Sequence, residues 1–202
     1  MALGTYGDLK SAVATWLSRA DLTTVIPDFI ALAHVKLMRV LRTREMETTD
    51  SAFVISAETV NLPSLFLEAR TMSLQTNPRQ SLTFMDPEKM TSFYSDLTGQ
   101  PKSYCVIGSQ FKFSPPPDAT YTATLVYYSS LAQFSATADT NWILTTHPDA
   151  YLYGALLEAV TVIQDDPRVP LWKAMYEDAV SQIKSNSAHA KYGGGALQTR
   201  PG

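Results

Sequence analysis

A single cysteine, Cys105, is the entire thiol content of this 202-residue chain. That excludes an intrachain disulfide framework and a cysteine-based zinc site, and it leads us to expect a protein made in a reducing cytoplasm. Charge is scarce as well. Asp, Glu, Lys and Arg make up 17% of the residues, against about a quarter in an ordinary domain. A fully solvated monomer would carry more, so part of the surface is expected to lie against partners. A basic excess is missing too: 16 Lys and Arg face 19 Asp and Glu, which argues against a dedicated nucleic-acid binder. No apolar run reaches the roughly 20 residues needed to span a bilayer. The most apolar stretch, 151–163, is shorter and contains Glu158, so no membrane partner is expected. The N-terminus shows no basic region ahead of an apolar core, so no secretory leader is expected. G-x-S-x-G, P-loop and G-x-G-x-x-G patterns are all missing; no cofactor is expected.

What is present falls into three stretches. Up to residue 45 the apolar spacing is helical. Thr5 and Asp8 resemble a capping box, and Leu9, Val13, Trp16 and Leu17 follow as one stripe. Pro27 suits the first turn of a second helix, whose buried face is read as Phe29, Ile30, Ala33, Leu37, Val40 and Leu41. From 46 to 130 the pattern shifts to short alternating runs and turn residues. Its clearest hairpin joins 102–107 to 110–114 through Gly108-Ser109, with Phe111 and Phe113 on one face and Pro115-Pro116-Pro117 ending the second strand. Asp86-Pro87-Glu88 opens a short helix, and 120–128 is the longest β-type run. Helical spacing returns after Asn141. Pro148 starts a third helix with Tyr151, Leu152, Ala155, Leu156, Ala159, Val160 and Ile163 inward. A fourth helix starts near Pro170, with Leu171, Trp172, Met175, Ala179, Val180 and Ile183 inward. The expected fold is therefore α+β. Residues 1–45 and 131–186 form the two halves of a four-helix bundle, 46–130 an inserted antiparallel β subdomain, and 187–202 a flexible C-terminal arm with three consecutive glycines.

Few residues suggest chemistry. His34, His147 and His189 have no partners at metal-ligand spacing: His34 reads as packed beside a helix face, and His147 as part of a capping turn. Cys105, mid-strand with no His nearby, reads as a small apolar residue. Asp165 and Asp166 are adjacent and do not face each other, so a helix-breaking turn before Pro167 is their expected role. Glu158 is expected to face solvent. Lys36, Arg39, Arg42 and Arg44 crowd the end of the second helix, where cations complement the helix dipole; they could also line a channel or a subunit interface. The C-terminal stretch carries Lys184, Lys191 and Arg200 with no acid after Asp178.

A resemblance adds to this reading. It is carried by Tyr6-Gly7-Asp8-Leu9, by Trp16 to Leu22, by Ile26-Pro27-Asp28-Phe29-Ile30 and by Leu41 to Met46. It continues through Leu62-Pro63, Gly99-Gln100-Pro101, Pro115-Pro116-Pro117-Asp118, Tyr127-Tyr128 and the run from His147 to Ala159. In order and spacing these resemble the head-to-tail adaptor proteins of short-tailed bacteriophages, related to the tail tubular protein A type of connector. The resemblance implies a structural virion protein with no catalytic residues, assembled in the host bacterial cytoplasm. It implies a ring of about twelve subunits between the portal protein and the tail nozzle protein, through which genomic DNA passes without specific binding. It also implies a portal-gripping arm, matched here by Lys191, Tyr192, Gly193, Gly194, Gly195, Leu197 and Arg200. Two other readings stay open: a tail-associated hydrolase of cell-wall glycans, and a nozzle-side tail completion protein.

Overall fold

The computed structural model describes residues 3–19, 21–93, 98–163 and 166–192. In chain order the elements are α1 (Tyr6–Leu17), α2 (Ile26–Val40), a 3-10 turn (Arg44–Met46), β1 (Glu47–Ile55), β2 (Thr59–Asn61), β3 (Phe66–Leu74), β4 (Gln80–Phe84), α3 (Pro87–Phe93), β5 (Ser103–Ile107), β6 (Gln110–Ser114), β7 (Tyr121–Ser129), α4 (Trp142–Thr146), α5 (Pro148–Ala159) and α6 (Val169–Tyr192). The protein is mixed α+β, and the chain divides into two compact units: residues 1–45 with 131–202, and residues 46–130.

In the helical unit, α1 starts on a capping box. Thr5 Oγ1 accepts the Asp8 N–H at 3.2 Å, and the Asp8 carboxylate accepts the Thr5 N–H at 3.2 Å. The next two N–H groups have no partner inside the helix. Tyr6 N–H donates to the Asp139 carbonyl (2.8 Å) and Gly7 N–H to the Thr137 carbonyl (2.9 Å). The stretch 131–141 is thereby tied to the start of α1, and Tyr6 stacks on Phe134 at 5.2 Å.

The helices do not make the expected simple four-helix bundle. Among the described residues there are six, one of them (α3) in the sheet unit and another, α4, ahead of the helix expected to start at Pro148. The physical reason is α5, which buries Tyr151, Leu152, Ala155, Leu156 and Ala159 and needs neighbours on every side. α1, α2, α4 and α6 all pack on it. Gly154 permits the closest approach: a methyl there would sit 3.1 Å from Ala33 Cβ and 3.3 Å from the Tyr176 ring. α6 docks through a narrow stripe that buries Trp172, Ala179 and Ile183. Leu171 and Met175, expected inward, are exposed, as are Trp16 and Val40. Residues 187–192, expected to belong to a flexible arm, continue α6 as helix; residues 193–202 lie outside the described residues.

The sheet unit is one seven-stranded sheet in the order β1-β7-β3-β4-β5-β6-β2. It is not wholly antiparallel as expected. β4 and β5 run parallel through Thr83↔Ser103 and Phe84↔Tyr104, because the chain between them crosses over through α3 and so can return in the same direction. The sheet curls. β1 and β6 are five places apart in the order, which in a flat sheet means roughly 24 Å, yet the Phe53 and Phe111 rings meet at 5.6 Å. Phe111 also touches Phe66 (5.3 Å), Tyr104 (5.8 Å) and Phe113 (6.2 Å). Around this aromatic centre lie Ile55, Met72, Leu74, Leu82 and Leu125.

Candidate functional site

The basic cluster does not form one free patch. Lys36 Nζ pairs with Glu158 Oε1 at 2.5 Å. Glu158 is 8% exposed, which corrects the expectation that it faces solvent. It sits on the α5 side that meets α2, and Lys36, itself half-exposed, reaches over to neutralise it. Arg42 donates to the Met38 and Leu41 carbonyls (2.9 and 2.6 Å), satisfying the end of α2. Arg44 approaches Glu45 at 3.4 Å, and its backbone N–H donates to Ser187 Oγ at 2.9 Å. Arg39 is exposed.

Asp166 pairs with Arg168 at 2.7 Å, and that contact holds its carboxyl below the usual range; Asp165 lies outside the described residues. Cys105 is buried, and burial pushes its thiol up, which suits an apolar role rather than a nucleophile. His147 closes α4 and precedes Pro148 at the start of α5. His189 is exposed on α6. Of the arm residues, Lys191 and Tyr192 end α6, while Gly193, Gly194, Gly195, Leu197 and Arg200 lie outside the described residues.

His34 is the centre of a buried network. Its Nε2 lies 3.0 Å from the Leu131 carbonyl, and its Nδ1 lies 2.9 Å from the Tyr151 hydroxyl. A carbonyl only accepts, so Nε2 carries the proton and Nδ1 accepts from Tyr151. Asn141 Nδ2 then donates to the Tyr151 oxygen at 3.0 Å. Burial lowers the His34 pKa and raises that of Tyr151, so the imidazole is kept neutral. The network fixes the 131–141 stretch to α2 and α5, a structural duty.

Sequence reasoning missed a groove in the sheet unit. β3 pairs with β4 only through Met72, Ser73 and Leu74, and β5 pairs with β4 only through Ser103 and Tyr104. β4 stops at Phe84, and Pro87 turns the chain into α3. Beyond that point β3 and β5 border a groove of about 370 Å³, lined by Phe66, Leu67, Glu68, Ala69, Arg70, Phe84, Tyr104 and Val106. The one available signal was Phe84, an aromatic residue just before the Asp86-Pro87 stop; it is 58% exposed.

Among the described residues, no group of three or more His, Cys, Asp or Glu is placed to hold a metal ion, and no helix is long and apolar enough to cross a membrane. No curated protein matches the chain. The model of one family, described as SU10 adaptor protein, matches residues 4–200. On that match over nearly its whole length, and with a geometry made of surfaces and ion pairs, the chain belongs to the SU10 adaptor protein family of phage head-to-tail adaptors, a structural component of the virion.

Proposed function

We propose that this adaptor acts as a ring, with its portal protein on one side and its tail nozzle protein on the other. It is of the short-tailed phage type related to tail tubular protein A, assembled in the host cytoplasm in about twelve copies. The observation that carries this reading is the family match across residues 4–200. A closed ring needs two different complementary faces on each subunit. Exposed Leu171 and Met175, one turn apart on α6, supply apolar surface of the kind such a face uses. The C-terminal arm, from Lys191 through Gly193, Gly194, Gly195 and Leu197 to Arg200, is the part that grips the portal. Its acid-free, glycine-rich sequence suits a segment that closely follows a partner's surface. DNA passes through the centre without specific binding, in keeping with the net charge of −3. Arg39 is the member of the basic cluster best placed to face a neighbouring subunit or the channel.

The test is reconstitution with purified portal protein. Full-length chain is expected to co-assemble into rings visible by electron microscopy, and deletion of residues 193–202 is expected to abolish docking without changing the circular dichroism. Unchanged docking by the truncated chain would remove the arm from the proposal. Binding to the nozzle protein but never to the portal would favour a nozzle-side completion protein.

A further inference from the structure

Two helices of the helical unit, α2 and α6, cross α5 in the same direction and in a fixed register. Ala33 of α2 and Tyr176 of α6 both flank Gly154, at 3.1 and 3.3 Å from where its Cβ would lie. The same number of residues further along each segment, the Arg44 N–H donates to Ser187 Oγ at 2.9 Å. A residue of α2 therefore lies level with the residue of α6 that is 143 positions later. Each helix also presents an exposed stripe. On α6, at about 100° per residue, Leu171, Met175, Asp178 and Gln182 fall on one flank, and Tyr176, which faces Gly154 and Ala33, falls on the other; the first four are all exposed. On α2, Leu32 and Arg39 are exposed two turns apart. The register puts Leu32 level with Met175. It puts Arg39 level with Gln182, whose amide donates to the Asp178 carboxylate at 2.7 Å.

A closed ring joins one face of each subunit to a different face of the next. Where the ring axis follows these helices, rotation keeps every residue at its height, so residues level within one subunit are also level between neighbours. The α2 stripe of one copy then meets the α6 stripe of the next with matching chemistry. Leu32 falls against Met175 and Leu171, and Arg39 falls against Asp178. Among the described residues neither Arg39 nor Asp178 has an ion pair; Lys36, on the same side of α2, is taken up by Glu158 of its own chain. The signs agree at the other end as well. Asp28 is exposed one turn before Leu32, and Arg168, held by Asp166 at 2.7 Å, lies one turn before Leu171. In the reversed sense Asp28 would meet Asp178 and Arg39 would meet Arg168, which like-charge repulsion disfavours. We propose that the Leu32–Arg39 stripe of α2 docks on the Leu171–Asp178 stripe of α6 in a second copy of this chain, with the two helices parallel. The inference rests on the ring reading above and names its two faces.

The experiment uses the full chain, alone and assembled with purified portal protein, and oxidative crosslinking of introduced cysteines. The native Cys105 is buried and stays silent. Arg39→Cys together with Asp178→Cys is expected to give a ladder of covalent multimers on non-reducing gels. A mixture of the two single variants is expected to stop at dimers, and each single variant alone to give none. Asp28→Cys together with Asp178→Cys samples the reversed sense and is expected to give no ladder. Arg39→Asp should weaken assembly by about three- to tenfold in sedimentation, and Arg39→Asp combined with Asp178→Arg should restore it. All these positions are exposed, so the variants should melt with the parent protein. Rings seen by electron microscopy without the crosslink between positions 39 and 178 overturn the inference and leave the ring reading standing. A single variant that crosslinks to itself reveals a two-fold contact and also overturns it, as does a ladder from positions 28 and 178. If neither ring nor multimer forms in either setting, the ring reading falls and this inference falls with it.

Discussion

Residues 1–45 and 131–202 carry eleven acidic and eleven basic side chains, whereas residues 46–130 carry eight and five. The contrast extends to the interiors. The helical unit is built around α5, where Gly154, Ala155 and Ala159 allow close helix approach and the buried charged and titratable groups are paired: Glu158 with Lys36, His34 with Tyr151 and Leu131. The sheet unit has a core of Phe, Tyr, Leu and Met around Phe111, with a groove lined by residues of β3 and β5 beside it. A helix satisfies its own backbone, so a helical layer can close on itself once side chains match. A sheet satisfies its backbone only through neighbouring strands, so its order and register decide which groups are covered. The two units are therefore held together in different ways: by side-chain matching in one, by strand pairing in the other.

The sharpest way to break that comparison is to empty the aromatic centre. Phe111 is fully buried and touches four other rings. Phe111→Ala removes most of what holds a curled sheet shut, and about 3–5 kcal/mol of stability should be lost in urea denaturation. A loss below about 1 kcal/mol would mean that the sheet's curl is held by its backbone pairing and not by this core.

A smaller effect probes the helical unit. Tyr151→Phe deletes one hydroxyl and leaves His34 Nδ1 and Asn141 Nδ2 without their partner, an expected loss of about 1–3 kcal/mol. The same network gives a pH signature. Burial holds the folded-state pKa of His34 below its ordinary value of 6.5, so the unfolded chain takes up the proton first. The contribution is full above pH 6.5 and is lost as pH falls through 6.5 toward the depressed folded value. Melting temperatures between pH 7.5 and 5 should show this fall, and His34→Gln should flatten it. An unchanged slope in that variant would assign the pH dependence to other groups.

These elements were not equally legible in the sequence. Local chemistry could be read directly: the Thr5–Asp8 capping box, the Gly108-Ser109 hairpin with Phe111 and Phe113 on one face, and the burial of Cys105. Such features need only neighbours within a few residues. Trp16, Val40, Leu171 and Met175 fall on helical stripes yet are exposed, because a stripe shows that a face is apolar and not how wide a partner covers it. Glu158 was misjudged for a related reason: its counter-charge, Lys36, lies on another helix. The groove was invisible because strands far apart in sequence form it, and no residue type marks such a meeting.

Turn geometry gives the next effect. Gly108 lies at φ +60 in the two-residue loop joining β5 and β6, and its companion Ser109 is not in the left-handed region. That matches a type II′ turn, in which the first central position calls for glycine. Gly108→Ala should cost about 1–2 kcal/mol, all of it from backbone strain, since a methyl there would meet open space. If the variant melts with the parent protein, the turn has room to change type and the hairpin's register is set by the Phe111 and Phe113 contacts instead.

The smallest expected change concerns Lys36. Removing one partner of a fully buried pair leaves a stranded charge and costs several kcal/mol, whereas a surface pair contributes little. This pair is mixed, with Glu158 at 9% side-chain exposure and Lys36 at 55%. Water can reach the vacated side of Glu158 once the lysine is gone, so Lys36→Ala should cost on the order of 1 kcal/mol. Lys36→Ala combined with Glu158→Gln should recover part of it, because the amide carries no charge to strand. The double variant also separates packing from charge. If it is no more stable than Lys36→Ala alone, the lysine stem covering α5 matters more than its ammonium, and the helical unit is held at this point by apolar contact, as the sheet unit is at Phe111.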